Sequence, residues 1–134
     1  MLCAPHLIAT RGNIVNVSSV VSSRPFAGML AYCMSKSAVN QMTGCTALEL
    51  ASKGVRVNSV NPGGTATEIY KSIGISKEQY AKFLEQRKGM QPLGRVGDAE
   101  EVAQAIAFLA SSSASFITGE HLHVDGGLHA AFPD

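Results

Sequence analysis

The sequence predicts an α/β fold built on a parallel sheet, and three observations lead to that prediction. Short runs rich in β-branched residues alternate along the chain with longer segments of helical periodicity. The order is strand, helix, strand, helix, strand, which is typical of right-handed crossover connections. The length of 134 residues matches one domain.

The first strand and the helix after it form the first unit of this pattern. Residues 13–18 are a short β-branched run after Gly12, which predicts a buried strand. Residues 31–53 predict a long helix, because apolar and small residues recur there at spacings of three, four and seven. Gly54 suits the left-handed position that ends such a helix.

The second strand is predicted at residues 55–60, where apolar and polar residues alternate. Asn61 and Pro62, followed by two glycines, are expected to stop it. Ser76 and Gln79 form a capping box, so a short helix is expected over residues 77–88.

The last part of the chain predicts one more helix and one more strand. Asp98 and the acidic residues after it are typical of a helix start, and apolar spacing continues to about residue 110. Residues 120–124 predict the third strand.

Composition excludes several classes of function. The hydrophobic content of 46% and charged content of 16% are typical of a globular protein. The net charge of +1, without a basic stripe, argues against nucleic acid as a partner. No apolar stretch approaches the roughly 18 residues of a membrane span, and no signal peptide is recognised, so no membrane partner and a cytoplasmic location are expected.

The cysteines and histidines do not indicate a metal site. Cys3, Cys33 and Cys45 form no CxxC pair, and free thiols in a reducing compartment are expected. His121 and His123 alternate along one strand but lack the third or fourth ligand that zinc sites generally need. The prediction is therefore no metal.

A serine, a tyrosine and a lysine at fixed spacing outline a proton-transfer site. Tyr32 and Lys36 lie four residues apart on the predicted helix, so they share one face. An ammonium near a phenol favours the phenolate, which makes the phenol proton movable. Ser19, at the end of the first strand, can bind the oxygen that receives that proton. Each feature by itself is common on protein surfaces.

Together with the segments around them, these residues resemble the short-chain dehydrogenase/reductase family in its single-domain subgroup. The resemblance extends in the family's order over nearly the whole chain, in segments 12–19, 32–36, 55–63, 94–102 and 117–127. It implies a partial Rossmann-like, doubly wound parallel sheet. It also implies an oxidoreductase that transfers hydride between NAD or NADP and a small-molecule carbonyl or secondary alcohol.

The resemblance implies a role for each residue of the triplet. Tyr32 would be the general acid in reduction and the general base in oxidation, and Lys36 would also bind the nicotinamide ribose. Ser19 would hydrogen-bond the substrate oxygen. Ser18 competes by adjacency, but the spacing to Tyr32 and strand alternation favour Ser19.

The turn after the second strand is the predicted cofactor contact. By resemblance, Pro62, Gly63 and Thr65 approach the nicotinamide, and the Thr67 hydroxyl assists. An ordinary β-turn with threonine caps is the alternative from the residues alone. NAD and NADP cannot be distinguished, because the residues that select between them in the family are not in this sequence.

Residues 66–92 resemble the family's mobile substrate loop. Five apolar side chains there are candidates for a lid: Tyr70, Ile73, Tyr80, Phe83 and Met90. The alternative for Tyr80 and Phe83 is that they pack the short helix against the protein. The lid sequence offers no charged residue that can be assigned as a substrate anchor.

Residues 1–134 correspond to the C-terminal half of one such domain, and residues 1–10 resemble the tail of the helix that precedes it. The glycine-rich βαβ half that binds dinucleotide is absent from this sequence. The strand at residues 13–18 is therefore expected to be a bare apolar edge, and the chain to be marginally stable or to need a partner. Two functions remain open. One is a fragment of an NAD(P)-dependent oxidoreductase that forms homo-oligomers when full-length, and the other is a catalytically inactive truncated product that acts as an interaction or oligomerisation module.

Overall fold

The computed structural model describes residues 2–69 and 74–131. Within these ranges the helices are α1 (Ala4–Thr10), α2 (Leu30–Ala51), α3 (Lys77–Met90) and α4 (Ala99–Ala110). The strands are β1 (Asn13–Val17), β2 (Arg56–Pro62), β3 (Thr65–Ala66), β4 (Gly97–Asp98) and β5 (His121–Val124).

The main sheet has the order β1-β2-β5, and both pairings are parallel. The predicted α/β fold with a parallel sheet is thus confirmed. β2 is the middle strand, with Val17 of β1 opposite Val60 and with Val124 of β5 opposite Pro62. The carboxyl ends of all three strands consequently lie at the same edge of the sheet.

β2 is longer than the sequence predicts, because Asn61 and Pro62 belong to the strand. The reason is the neighbouring strand: β5 pairs with this end of β2, and the Gly63 N–H donates to the Val124 carbonyl at 3.0 Å. The short β3–β4 pair was not predicted, since two residues carry no readable alternation. The capping box at Ser76 and the left-handed Gly54 are confirmed.

Two apolar clusters cover the two faces of the main sheet. One contains Ala47 and Leu50 of α2 with Val57 of β2, and Leu7 and Ile14 pack against it. The other joins Leu109 of α4 to Val60 and Ala114. Helices therefore cover both faces of the sheet, as in a doubly wound fold.

A third cluster lies beyond the carboxyl edge of the sheet. Val20 and Val21 follow β1 and pack with Leu128, while Phe26, Met29 and Cys33 lie around them. This cluster fixes the chain between β1 and α2, which is the segment that enters the functional site. Among the described residues, no helix is long and apolar enough to cross a lipid bilayer.

β1 is an edge strand in the described part of the chain, as the sequence predicts, because it pairs with β2 on one side only. Val17 at its carboxyl end is 52% exposed. Unpaired strand edges with apolar side chains promote association between chains.

We predict that the isolated chain self-associates through β1. Val17→Lys should reduce this association, because a lysine on an edge strand must keep its charge in water. Size-exclusion chromatography with light scattering measures the effect, and Val17→Thr is the control that keeps the β-branched shape. A wild-type chain that remains monomeric and melts cooperatively at high temperature would contradict the prediction.

Candidate active site

A cavity of about 440 Å³ opens at the carboxyl edge of the sheet. Every site residue predicted from the sequence lines it: Ser19, Tyr32, Lys36, Pro62, Gly63, Thr65 and Thr67. They come from three separate segments, namely the end of β1, the first turns of α2 and the turn after β2. The parallel pairing of β1 with β2 is what brings the first and third segments together.

Tyr32 and Lys36 lie on the cavity side of α2, one helical turn apart. The Lys36 ammonium nitrogen is 5.8 Å from the centroid of the Tyr32 ring. It also donates a hydrogen bond to the Val17 carbonyl at 3.1 Å, which joins α2 to the end of β1. Tyr32 is 44% exposed, and within the described residues its hydroxyl makes no hydrogen bond. The phenol is therefore open to a ligand in the cavity.

Ser18 and Ser19 are both buried but have different partners. The Ser18 hydroxyl donates to the Lys36 backbone carbonyl at 3.1 Å, so it supports the contact between β1 and α2. The Ser19 hydroxyl oxygen accepts from the Val21 N–H at 3.4 Å, and no acceptor among the described residues takes its proton. Ser19 is thus the serine that can donate to a ligand.

Ser22 holds this segment in place, although no motif in the sequence indicates it. Its hydroxyl donates to the Ser19 carbonyl at 2.6 Å and accepts from the side-chain amides of Asn40 at 2.8 Å and Asn61 at 3.0 Å. Asn40 belongs to α2, Asn61 to β2 and Ser19 to the segment after β1, so the Ser22 hydroxyl joins three parts of the chain. Ser22 lies in a segment that contains several serines, and nothing in the sequence distinguishes it from them.

We predict that Ser22→Ala lowers the free energy of unfolding by about 2–4 kcal/mol, because it leaves two amide donors without their acceptor. Urea unfolding followed by circular dichroism measures the change. Ser23→Ala is the matched control, since Ser23 is exposed and its hydroxyl bonds at 3.2 and 3.3 Å are longer. An equal decrease in the free energy of unfolding for both variants would argue against the proposed role of Ser22.

The turn after β2 packs closely against two other elements. A Cβ atom on Gly63 would lie 2.8 Å from the Asp125 Cα and 2.6 Å from the Gln91 side-chain oxygen. A Cβ atom on Gly64 would lie 2.8 Å from the Arg87 Cβ. The Gly64 N–H donates to the same Gln91 oxygen at 2.7 Å. Both glycines therefore allow α3 and β5 to approach the cavity wall.

Gly63→Ala should lower the free energy of unfolding by about 1–3 kcal/mol, because the new methyl group meets backbone atoms that cannot move aside. Gly44→Ala in α2 should raise it by about 0.5–1 kcal/mol, since open space surrounds Gly44 and alanine is the better helix former. Thermal melts of both variants measure the two shifts. A Gly63→Ala variant as stable as wild type would contradict the steric argument.

Of the five predicted lid residues, two line the cavity, one does not, and two lie outside the described residues. Tyr80 is buried, and its hydroxyl oxygen accepts from the Thr67 N–H at 3.0 Å. Its ring stacks on Phe83 with centroids 6.2 Å apart. Tyr80 and Phe83 thus pack α3 down and also line the cavity. Met90 does not line it, and Tyr70 and Ile73 lie outside the described residues.

Arg87 also lines the cavity, although no motif in the sequence indicates it. Its guanidinium carbon lies 5.1 Å from the centroid of Phe26 and 4.9 Å from that of Phe83. Burial lowers the pKa of Arg87, while the charge of Tyr32 acts in the opposite direction. The sequence signal available was weak: Arg87 shares a helix face with Phe83, four residues earlier.

A second cavity of about 330 Å³ lies beside β5. His123 and His129 stack there with ring centroids 4.1 Å apart, and His129 Nδ1 lies 2.9 Å from an Asp125 carboxylate oxygen. Burial, followed by the nearby His129, lowers the pKa of His123. His121 bonds to the Ser59 hydroxyl at 2.8 Å. Among the described residues, no three metal-ligating side chains are grouped.

Comparison with known proteins identifies the family of the chain. The family profile described as enoyl-(acyl carrier protein) reductase matches residues 1–129. The 3-oxoacyl-[acyl-carrier-protein] reductase FabG of Vibrio cholerae is 44% identical over 119 residues. The chain belongs to the short-chain dehydrogenase/reductase family. The alignment with FabG covers 89% of this chain and 46% of that protein.

Solved structures of this short-chain dehydrogenase/reductase family superpose well on the chain. A Caenorhabditis elegans member of unknown function, solved with cofactor, has a TM-score of 0.86 and 39% identity, covering 96% of this chain and 49% of that one. A gluconate 5-dehydrogenase from Burkholderia cenocepacia, in complex with NADP and tartrate, has a TM-score of 0.83 and 32% identity. The match covers 96% of this chain and 49% of that one. The chain thus spans about half the length of the relatives it matches.

Proposed function

We propose that this chain supplies the catalytic half of an NAD(P)-dependent oxidoreductase that interconverts a carbonyl compound and its secondary alcohol. The observation that carries the proposal is the convergence of Ser19, Tyr32 and Lys36 on one cavity with the turn at Pro62–Gly63. FabG and gluconate 5-dehydrogenase are relatives whose names describe such reactions. Residues 1–134 would form the C-terminal half of a single domain.

The cavity fits the nicotinamide end of a dinucleotide, because it joins an ammonium and several hydroxyl groups to a close-packed glycine turn. Lys36 and Tyr32 would hold the ribose hydroxyls, and Thr65 and Thr67 would lie beside the carboxamide. When bound, the nicotinamide supplies the hydride to the carbonyl carbon or accepts it from the alcohol. NAD and NADP remain equal candidates.

Tyr32 would move the proton. In reduction, its phenol donates a proton to the carbonyl oxygen as that oxygen gains negative charge, and in oxidation its phenolate removes the alcohol proton. The Ser19 hydroxyl donates a hydrogen bond to the same oxygen. The Lys36 ammonium, 5.8 Å from the Tyr32 ring centroid, would hold the ribose beside the phenol. The buried contacts of Ser18 and Ser22 would hold these groups in position.

Tyr32→Phe should lower carbonyl reduction by about 10²–10⁴-fold, because it removes the general acid and leaves the ring in place. The assay follows NADH and NADPH oxidation by the longest natural product that contains these residues, with a panel of ketones. Met34→Leu, an exposed position on α2, is the control for general effects on the helix. Full activity in Tyr32→Phe would refute the assignment.

The second candidate is an interaction module without turnover. The observation that favours it is a set of exposed apolar side chains on α2: Leu30, Met34, Met42 and Leu48, at 75%, 63%, 53% and 82% exposure. Such a surface also suits the homo-oligomer proposed for the enzyme. The assay above separates the candidates, since a module would show no turnover that depends on Tyr32.

A further inference from the structure

The proposed reaction leaves one charged group of the cavity unexplained. Arg87 extends from α3 along the cavity wall, and its guanidinium carbon lies 5.1 Å from the Phe26 centroid and 4.9 Å from the Phe83 centroid. The Gly64 backbone lies directly against the Arg87 Cβ, because a methyl group on Gly64 would come within 2.8 Å of that atom. The base of the side chain is thus held closely, and the guanidinium has a defined position beside the cavity.

The guanidinium lacks a protein partner that matches its chemistry. It has five N–H donors, and the hydrogen bond that the structure gives it goes to the Met29 sulfur at 3.6 Å, which is a weak acceptor. None of the ion pairs among the described residues includes Arg87. Moving a charged group away from water without such a partner is costly. An acceptor from outside the protein would remove that cost.

The charges around the cavity favour an anion as that acceptor. Two cationic side chains, Lys36 and Arg87, line the cavity, and no Asp or Glu within the described residues lines it. The remaining lining is largely apolar, including Val21, Met29 and Phe83, so the field of each cation is less screened than in water. Lys36 already lies at Tyr32 and donates to the Val17 carbonyl, whereas the Arg87 guanidinium donates to no oxygen among the described residues.

We propose that Arg87 binds an acidic group, a carboxylate or a phosphate, on the carbonyl substrate of this site. The planar guanidinium can pair two N–H donors with the two oxygens of such a group. The Phe83 ring lines the cavity beside the guanidinium and would pack on the substrate's apolar segment. The substrate class is then a keto acid or the hydroxy acid formed from it. This inference rests on the proposed function for the identity of the reacting carbonyl.

The test compares acids with neutral analogues of the same shape. The probes are 4-oxopentanoate and 5-oxohexanoate with their methyl esters, and the protein is the longest natural product that contains these residues. Ligand-observed NMR measures each dissociation constant, and NADPH oxidation measures kcat/KM. We expect the acids to bind at least tenfold more tightly than the esters and to show the same preference in kcat/KM.

Three variants assign that preference to Arg87. Arg87→Gln should reduce the ratio of acid to ester binding at least tenfold, and Arg87→Lys should retain part of it, because a point charge remains without the planar pair of donors. Lys88→Gln is the matched control: Lys88 is the next residue, is exposed and pairs with Glu85 at 3.3 Å, so the ratio should not change.

Three results would overturn the inference. The first is wild-type protein that binds acids and esters equally, and the second is an Arg87→Gln variant that weakens binding of both equally, which would indicate a structural role only. Loss of NADPH binding in Arg87→Gln with an unchanged acid-to-ester ratio would assign the residue to the cofactor instead and would also overturn it.

The NMR binding measurements, which need no turnover, separate this inference from the proposed function. Acid binding that depends on Arg87, without reduction of any ketone, would refute the reductase and support the anion site. Reduction that depends on Tyr32, without a preference for acids, would support the reductase and refute the anion site.

Discussion

β2 is hydrogen-bonded to a parallel strand on each side, and the cavity exists because of that position. Val17 lies opposite Val60, and the ladder continues past β1 through the Ser18 N–H, which donates to the Val60 carbonyl at 2.9 Å. The chain that leaves β1 therefore passes beside the end of β2. A register shift of one residue would exchange the positions of Ser18, which supports α2, and Ser19 at this edge of the sheet.

The buried polar residues of β2 hold this arrangement through hydrogen bonds with one another and with neighbouring segments. Asn58 donates to the Ile117 carbonyl at 2.9 Å and accepts from the Glu120 N–H at 3.0 Å, which aligns the segment that enters β5. Ser59 donates to the Asn61 side chain, and Asn61 donates to Ser22. Because buried polar groups are costly when unpaired, this chain of bonds favours one arrangement of strand ends over its alternatives. The result is a rigid support for Ser19.

The same geometry explains how the cavity combines an apolar lining with positive charge. α3 lies against the turn after β2, since Gly63 and Gly64 have no side chains and Gln91 binds the Gly64 N–H. That contact brings Tyr80, Phe83 and Arg87 to the wall facing Tyr32. The rings of Tyr80 and Phe83 therefore form an apolar wall of the cavity. A low local dielectric increases the effect of each charge in that site.

The sequence by itself determined the parallel α/β fold and the extents of the long elements to within two residues, because strand and helix periods and caps are local properties of the chain. The four-residue spacing put Tyr32 and Lys36 on one helix face, and the family resemblance supplied the other predicted site residues. The tertiary structure alone decided the end of β2, the β3–β4 pair, the Ser22 hydrogen bonds and the position of Arg87. Each of these depends on contacts between segments far apart in the chain, and no local pattern in the sequence records which distant groups will meet.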